Sequence, residues 1–513
     1  MHATSRPGSV RLASLALACL LVLGYGWLGT SRILGDAGGD SAVYWLMANH
    51  YSPYAPAQPA SAHFAVQSKY PPAYPALLAA LGGGNDLRTA HLVSVGCLLL
   101  AFWQLWRWAR ESGVGEGLAT LLVATFASLA ITRIEALQLH SEHLLLPLSL
   151  AALRLATRLR EAPRTGLALA LGALVSVALF TRSAAVSLLA MLACMALTTR
   201  NRAWFVAVGS TGLGLAATTL ARGGASGYVA EAVAAYQREG VAAMAWDVLS
   251  NIPVAWTMCL LDAQPTHRNV ALCGLAGAWC LWGSLRRARA GEPDGWYALC
   301  GLALIAVWPY PVEQPRLFFV LLPVLLLQGL SLGLALVAGR GPAWRRAAAL
   351  AGAVPLLVGV VGTLRFAGNF ALPLPPPLQA YRWHVQWHLA QLRQPLAQIS
   401  KVEAWERAYA QVGEVLPPGE CVYAVKPALV GLFGQRVSKA PPAPALDAGD
   451  FARAVREGGC NAFLLSSATS PSFPTAFYPY ERLDSAWTVI ATTAALDTPD
   501  RPSSLLVVRA GAR

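Results

Sequence analysis

The sequence predicts a polytopic α-helical membrane protein with about eleven transmembrane helices and a small α/β domain at its C-terminal end. Three observations support this fold class. The chain of 513 residues is 56% hydrophobic and only 13% charged, with a mean hydropathy of +0.47, whereas a soluble domain usually carries about 25% charged residues. Its arginines fall in short clusters between apolar spans. After Phe366 the apolar spans give way to strand-like alternation.

Apolar stretches of about 17–25 residues, the length that crosses a bilayer, follow one another along the first two thirds of the chain. We place them at 11–29, 88–107, 117–133, 142–159, 166–181, 183–198, 203–221, 269–285, 295–311, 317–337 and 346–366. The first is interpreted as an uncleaved helix rather than a signal peptide, because no small-residue cleavage site follows it.

The arginine clusters predict the orientation of these spans. The clusters at 154–164 and 286–289 lie on the same predicted side as the N-terminus, and the opposite loops hold single bases. The positive-inside rule makes the clustered side cytoplasmic. The loops 35–75 and 222–268 and the C-terminal tail are then outside. The net charge of +13 therefore reflects membrane topology, and no nucleic acid partner is expected.

The nine cysteines include no CxxC motif and no Cys/His pairing at ligand spacing. Seven of them lie in or beside apolar spans and are interpreted as small core residues. Cys421 and Cys460 fall in the tail. They are expected to pair only if the tail lies in an oxidising compartment and their distance allows it.

We divide the chain into a transmembrane module, residues 1–366, with a first outer loop at 30–87, and a C-terminal α/β domain, residues 367–513. Prolines at 373–377 predict a stiff linker. The amphipathic segment 379–413 fits a helix on the membrane surface or one packed on the tail domain. The alternation pattern then predicts three strands and one helix, at Cys421–Val425, Ala462–Ser466, Ser504–Val508 and Phe451–Glu457.

The first outer loop contains two carboxylates, Asp36 and Asp40, just beyond the end of the first apolar span. Asp40 precedes a segment with helical spacing, so it is either an N-cap that accepts backbone N–H bonds or a functional carboxylate, and the two roles are compatible. The pair is weak evidence for a metal site, because no histidine or third acid is spaced to complete it.

Further along the same loop, Lys69 precedes the stiff aromatic and proline run that begins at Tyr70. It is either a solvated loop base or a point charge that binds a lipid phosphate at the membrane surface.

A second group of polar residues surrounds the start of the fourth span. Glu135 and Glu142 are seven positions apart and share a helical face if the helix is continuous, with Gln138 between them. An acidic side chain at the edge of a membrane span is energetically costly, so we take it as a candidate functional residue. The alternative is that Glu142 caps the start of the fourth helix beside Ser141.

Two arginines lie at the predicted outer ends of spans. Arg182 is in a tight outer hairpin, and Arg316 begins the tenth span beside Glu313. Arg316 either forms a salt bridge with Glu313 or contributes to a cationic rim for an anionic ligand. The chain has no P-loop, no GxSxG motif and no GxGxxG in a strand–helix context, which disfavours nucleotide-dependent chemistry.

Together these segments resemble the GT-C superfamily of membrane glycosyltransferases. The likeness is to bacterial relatives of the protein O-mannosyltransferases and of the aminoarabinose transferase that acts on lipid A. The matching pieces, in order, are GDSAVYWLMA, SKYPPAYPALLAAL, SEHLLLPLSLAAL, FTRSAAVSLLA, RLFFVLLPVLLL and the tail segment GECVYAVKPALVGLFGQR. The order and sidedness of these pieces carry the resemblance, which covers most of the chain.

The resemblance implies an inverting transfer of sugar from a polyprenyl-phosphate donor to a hydroxyl of a lipid, glycan or protein acceptor. This would occur on the periplasmic face of the bacterial inner membrane. Asp40 looks like the catalytic general base. Lys69, with Arg182 or Arg316, would hold the lipid phosphate, and Glu142 would orient the acceptor or sugar. The aromatic residues Tyr44 and Tyr70 are assigned to substrate binding.

No cofactor is expected, and the sequence does not indicate a divalent metal. Membrane lipids are expected partners. Two alternatives remain. An O-antigen-type polymerase or ligase tends to have its main outer loop late in the bundle, whereas the acidic loop comes first here. A transporter or flippase favours charges near the bilayer midplane and two-fold repeats, and neither feature is seen in this sequence.

Overall fold

The computed structural model describes residues 7–30, 39–54, 56–67, 70–222, 233, 235–237, 239–261, 265–369, 373–381, 395–470 and 472–509. The helices before the tail are α1 (Pro7–Leu28), α2 (Asp40–Tyr51), α3 (Pro59–Gln67), α4 (Ala73–Ala80), α5 (Leu87–Glu111), α6 (Glu116–Ser128), α7 (Ala130–Glu135), α8 (Glu142–Glu161), α9 (Thr165–Thr181), α10 (Val186–Thr199), α11 (Arg202–Arg222), α12 (Val241–Leu260), α13 (His267–Arg289), α14 (Pro293–Val307), α15 (Gln314–Val337) and α16 (Pro342–Asn369).

Long apolar helices form the first part of the chain. Among the described residues, three are long and apolar enough to cross a membrane, at Arg11–Leu28, Leu87–Glu111 and Pro311–Val337. Shorter apolar helices occupy Glu116–Ser128, Thr165–Thr181, Ser183–Thr199 and Val354–Gly368. All of these coincide with predicted spans. The predicted fold class is confirmed as a mostly helical chain with a small C-terminal sheet domain, and the total of about eleven spans stays a prediction.

The predicted outer loop 222–268 contains a helix that the hydropathy pattern did not indicate, α12. Polar residues and Pro253 interrupt its apolar run, which explains why no span was predicted there. The helix packs against its neighbours through polar contacts. The Gln314 side-chain amide donates to the Val248 carbonyl at 2.9 Å, and the Trp256 indole donates to the Cys273 carbonyl at 2.8 Å.

Glu135 and Glu142 do not lie on one continuous helix, which was the condition for a shared helical face, and the break between them agrees with the separate predicted spans 117–133 and 142–159. Helix α7 ends at Glu135, a turn follows, and α8 begins at Glu142. Leu129 is already extended between α6 and α7, with ψ 150°. The two glutamates therefore lie on separate helices and do not share a helical face.

The tail is a mixed sheet with flanking helices α17 (Pro395–Val415) and α18 (Ala448–Gly458). The described residues form five strands in the order β2-β1-β3-β5-β4. Their bounds are β1 (Val422–Ala424), β2 (Ser438–Lys439), β3 (Ala462–Ser466), β4 (Trp487–Ala495) and β5 (Thr498–Arg509). Strands β2 and β1 and strands β1 and β3 pair in parallel, and β5 is antiparallel to both β3 and β4.

The predicted elements of the tail are confirmed, and β2 and β4 are additional. Cys421 and Cys460 are disulfide-bonded, with their Cα atoms 4.5 Å apart. Helix α17 forms the described half of the predicted amphipathic segment and packs on the sheet. Of the two predicted alternatives, this is the helix packed on the tail domain. Residues 382–394 of that segment lie outside the described residues.

The tail shares a hydrophobic core with the predicted outer loop 30–87. Ala42 and Leu46 of α2 belong to the same buried cluster as Ala428 and Val430 of the tail. The contact is close at Gly431, where an added Cβ would lie 2.7 Å from the Phe64 ring. The tail therefore covers the predicted catalytic loop and fixes the position of α2.

Asn49 links the far end of α2 to the rest of the loop. Its side-chain amide donates to the Gly84 carbonyl at 2.9 Å, and its Oδ1 accepts from the Gln58 N–H at 2.8 Å and the Ser61 hydroxyl at 2.6 Å. We expect Asn49→Ala to lower the free energy of unfolding by about 2–3 kcal/mol, because buried groups lose their partners. Thermal unfolding in detergent measures this loss.

The matched control is Asn85→Ala, on the same loop. Asn85 is exposed and accepts one bond, from the Ser52 hydroxyl at 2.8 Å. Its loss is expected to change the free energy of unfolding by no more than about 0.5 kcal/mol. Equal effects of the two substitutions would contradict a structural role for the buried asparagine.

Candidate active site

Asp40 begins α2 and faces other side chains rather than the helix backbone. Gly39 precedes it with φ 96°, in the left-handed region that glycine favours, and is the N-cap without a side-chain bond. The Asp40 Oδ1 accepts from the Tyr70 hydroxyl at 2.5 Å, and its Oδ2 lies 2.7 Å from Arg316 Nη1. The N-cap alternative is therefore wrong, and both carboxylate oxygens are engaged.

Glu142 is buried at the start of α8 and binds two arginines. Its Oε1 lies 3.0 Å from Arg316 Nε and 3.3 Å from Arg182 Nη2. Its Oε2 lies 3.4 Å from both Arg316 Nη2 and the Ser141 hydroxyl. The N-cap residue of α8, Ser141, forms no side-chain cap bond. The alternative that Glu142 and Ser141 cap the helix is wrong, and the carboxylate forms ion pairs instead.

Arg316 joins the two acids. It lies in the first turn of α15 and contacts Asp40 through one nitrogen and Glu142 through two others. The predicted alternative, a salt bridge between Arg316 and Glu313, is not the arrangement observed. The Glu313 carboxylate accepts from the Trp308 indole at 3.0 Å. A guanidinium suits this position because its five N–H donors form a rigid fork.

Arg182 approaches the same cluster from the end of α9. Besides Glu142, its Nη1 lies 3.5 Å from both the Tyr44 and the Ser141 hydroxyls. These two hydroxyls are 2.8 Å apart. The Tyr44 ring packs against Tyr70, with ring centroids 5.1 Å apart. The structure thus brings together Asp40, Glu142, Arg182, Arg316, Tyr44 and Tyr70, and their roles in substrate binding and catalysis stay predictions.

The protonation of Asp40 follows from these contacts. Burial by itself would raise the pKa of the Asp40 carboxyl. The charges of Arg316 and His140, with hydrogen bonds from Arg316 and Tyr70, outweigh burial and hold that pKa well below its usual value. Asp40 is consequently ionised at neutral pH, as an acceptor of protons must be.

Sequence reasoning missed a neighbouring pair and one hydroxyl. His140 Nδ1 lies 2.9 Å from Glu135 Oε2, and both side chains are buried. The turn between α7 and α8 also places the Ser141 hydroxyl in the cluster. The polar residues in QLHSEH were the available signal, but their spacing along the chain does not show which of them form pairs.

A small, partly open cavity of about 20 Å³ lies beside the cluster. Glu142 and Arg182 line one part of it, and the rest is mostly apolar, with walls from α8, α10, α14 and α15. Its lining therefore combines charged side chains at one place with hydrocarbon contacts elsewhere.

Lys69 and Asp36 lie outside the described residues, so their predicted roles are not tested. Within the parts of the chain that the structure describes, no group of three or more His, Cys, Asp or Glu side chains forms a candidate metal site. Independence from metal stays a prediction.

Comparisons with known proteins show the fold. No protein-family model matches the chain, and no curated protein has a similar sequence. ArnT from Cupriavidus metallidurans bound to undecaprenyl phosphate superposes with a TM-score of 0.54 and 14% identity, covering 99% of this chain and 99% of that one. The apo state of ArnT gives a TM-score of 0.53 and 14% identity over 97% of this chain and 99% of the other.

An Archaeoglobus fulgidus oligosaccharyltransferase tethered with an acceptor peptide covers 88% of this chain and 69% of its own, with a TM-score of 0.49 and 12% identity. The likeness to the two ArnT structures includes both the helical part and the C-terminal sheet domain. At 14% identity, this likeness shows a shared fold.

Proposed function

We propose that this chain, which has the GT-C fold that it shares with ArnT, is a membrane glycosyltransferase that uses a polyprenyl-phosphate-linked sugar. The observation that carries the proposal is the ion pair between Asp40 and Arg316, which Glu142 links to Arg182 next to apolar side chains. An acceptor hydroxyl needs a base, and a lipid phosphate needs cations and an apolar surface.

In the proposed reaction, Asp40 accepts the proton of the acceptor hydroxyl as that oxygen bonds to the anomeric carbon. The bond between this carbon and the phosphate oxygen breaks, and its electron pair stays on the phosphate. Attack and departure on opposite faces of the sugar invert the configuration. A phosphate leaving group requires no proton, so one base and a set of cations are sufficient.

The donor phosphate would bind Arg182 and Arg316, with Lys69 as a further cation. Guanidinium–phosphate pairs are strong because two parallel N–H···O bonds form. The prenyl chain would lie against apolar side chains next to the charged cluster, such as Leu145 and Leu317. Tyr70 would hold the base, and Tyr44 would contribute a hydroxyl near the phosphate.

The proposed location is the bacterial inner membrane, with a cytoplasmic N-terminus, about eleven spans and a periplasmic tail. The disulfide between Cys421 and Cys460 supports an oxidising compartment for the tail. Reporter fusions within the loop 30–87 and after residue 509 test this topology. Cytoplasmic signals from both positions would overturn the proposed site of transfer.

The function itself is tested by mass spectrometry of cell-envelope glycans and glycolipids from cells with and without the protein. A glycosyltransferase leaves a mass difference of one sugar residue on a defined acceptor. The matched control is a strain that produces Asp40→Asn, which should reproduce the profile of cells without the protein. Identical profiles in all strains would contradict the proposal.

Transfer is expected to be independent of divalent metal. In the described site each carboxylate is already paired with an arginine, which leaves no set of oxygen ligands for a cation. Purified protein incubated with excess chelator should keep its full rate of transfer. A loss that added Mg²⁺ or Mn²⁺ restores would show that a metal takes part.

A further inference from the structure

Four charged side chains form a connected set of ion pairs in this structure. Asp40 and Glu142 are negative and Arg182 and Arg316 are positive, and their contacts run from Asp40 through Arg316 and Glu142 to Arg182. A phosphate that enters such a cluster adds negative charge, so it binds well only if a guanidinium exchanges a carboxylate for the phosphate. Binding of the phosphate therefore requires one of these ion pairs to open.

The contacts of Glu142 make it the fixed part of the cluster. Its side chain is 1% exposed, and both of its oxygens are occupied by Arg182, Arg316 and Ser141. Opening these contacts would leave a buried carboxylate without a partner, which is costly. Arg182, 5% exposed, is held on the same side chain. Glu142 is thus placed to hold two guanidiniums rather than to contact a sugar.

The ion pair between Asp40 and Arg316 is the part that can open. The Asp40 and Arg316 side chains are 20% and 15% exposed, more than the other two members of the cluster. Arg316 contacts Asp40 through Nη1, whereas its Nε and Nη2 are bound to Glu142. Nη1 is therefore able to change partners while Glu142 keeps the guanidinium in place.

We propose that Arg316 is shared between Asp40 and the donor phosphate, and that Glu142 is the positioning residue that holds it during the exchange. This inference rests on the proposed function. Before the donor binds, Arg316 occupies Asp40 Oδ2 and Tyr70 occupies Oδ1, so the carboxylate is a poor base. When the phosphate takes Arg316 Nη1, one oxygen of Asp40 becomes available to the acceptor hydroxyl. The base is activated only when the donor is present.

The pKa of Asp40 agrees with this sequence of events. Burial raises that pKa, and the charge of Arg316 has the strongest effect in lowering it. Loss of the hydrogen bond from Arg316 Nη1, together with the negative charge of the bound phosphate, leaves burial less opposed, so the carboxylate becomes a stronger base in the complex with the donor.

The proposed exchange can be tested by measuring the binding of a lipid phosphate, without knowing which sugar the donor carries. The probe is undecaprenyl phosphate, and its dissociation constant is measured with the purified full-length protein in detergent. Asp40→Asn removes the competitor for Arg316 and should tighten binding by roughly tenfold, within the usual range of coupling between sites. Asp40→Ala provides the same comparison if the asparagine variant does not fold.

Two controls separate exchange from a general effect of charge. Glu142→Gln removes a negative charge from the same cluster, but it also frees the guanidiniums from their position, so it should weaken binding or leave it unchanged. In a protein that carries Arg316→Gln, the further change Asp40→Asn should no longer produce the tenfold gain. Thermal unfolding of each variant checks that it is folded.

The outcomes are distinct. The absence of undecaprenyl phosphate binding by the unaltered protein would overturn the proposed function, and this inference with it. Binding by the unaltered protein without tightening in Asp40→Asn would overturn the inference alone. Equal tightening in Asp40→Asn and Glu142→Gln, or an undiminished gain in the Arg316→Gln protein, would also overturn it, because simple repulsion then explains the result.

Discussion

Replacement of Asp40 by asparagine is expected to lower the kcat of sugar transfer by about a thousandfold, within the usual contribution of a general base. Asparagine keeps the size of the side chain and can still accept a bond from Tyr70, but it cannot take the acceptor proton. The measurement is transfer from a polyprenyl-phosphate sugar to the acceptor identified in the glycan comparison. KM for the donor should not rise, because Arg316 remains available to the phosphate.

The matched control is Asp247→Asn. Asp247 is an exposed aspartate on α12, outside the described cluster. Its replacement should leave kcat and KM unchanged. Full activity of a folded Asp40→Asn protein would exclude Asp40 as the base and would leave the rest of the site without a proton acceptor.

Loss of the Glu142 carboxylate is expected to produce the largest change in stability. Glu142→Ala leaves Arg182 and Arg316 with less compensating charge in a buried site, and breaking such a pair costs about 3–5 kcal/mol. The transition measured by thermal or denaturant unfolding in detergent should shift accordingly. Glu142→Gln should lie between the unaltered protein and the alanine variant, because the amide oxygen still accepts hydrogen bonds.

Glu161→Ala is the comparison for this experiment. Glu161 ends the same helix, α8, and is exposed. Its removal should change the free energy of unfolding by about 0.5 kcal/mol or less. If the two alanine substitutions had similar effects, Glu142 would not be the centre of the charged cluster that the distances indicate.

The elements that depend on local pattern were predictable. Apolar runs gave the long helices α1, α5 and α15, and alternation gave β1, β3 and β5. The acidic first loop was also recognisable, because Asp40 stands directly before a helical pattern. These features follow from periodicity and from the length of an apolar run, which the chain carries in consecutive residues.

The features that sequence reasoning missed depend on contacts between residues that are distant in the sequence. Helix α12 was missed because its polar residues and Pro253 shorten the apolar run, although contacts with α15 bury part of it. The gap between the predicted spans 117–133 and 142–159 allowed for the turn before Glu142, but the local pattern did not show that Glu142 pairs with Arg182 and Arg316. In both places the decisive contacts are with residues distant in the sequence.

The long apolar helices, the acidic first loop and three strands of the tail could be read from the sequence, because each is a property of neighbouring residues. Only the tertiary structure decided the partners of Arg316, which are 276 and 174 positions away at Asp40 and Glu142. It also decided that the tail packs on α2. Such pairings depend on which helix ends meet and how each helix is rotated, and the packing of the whole chain determines both.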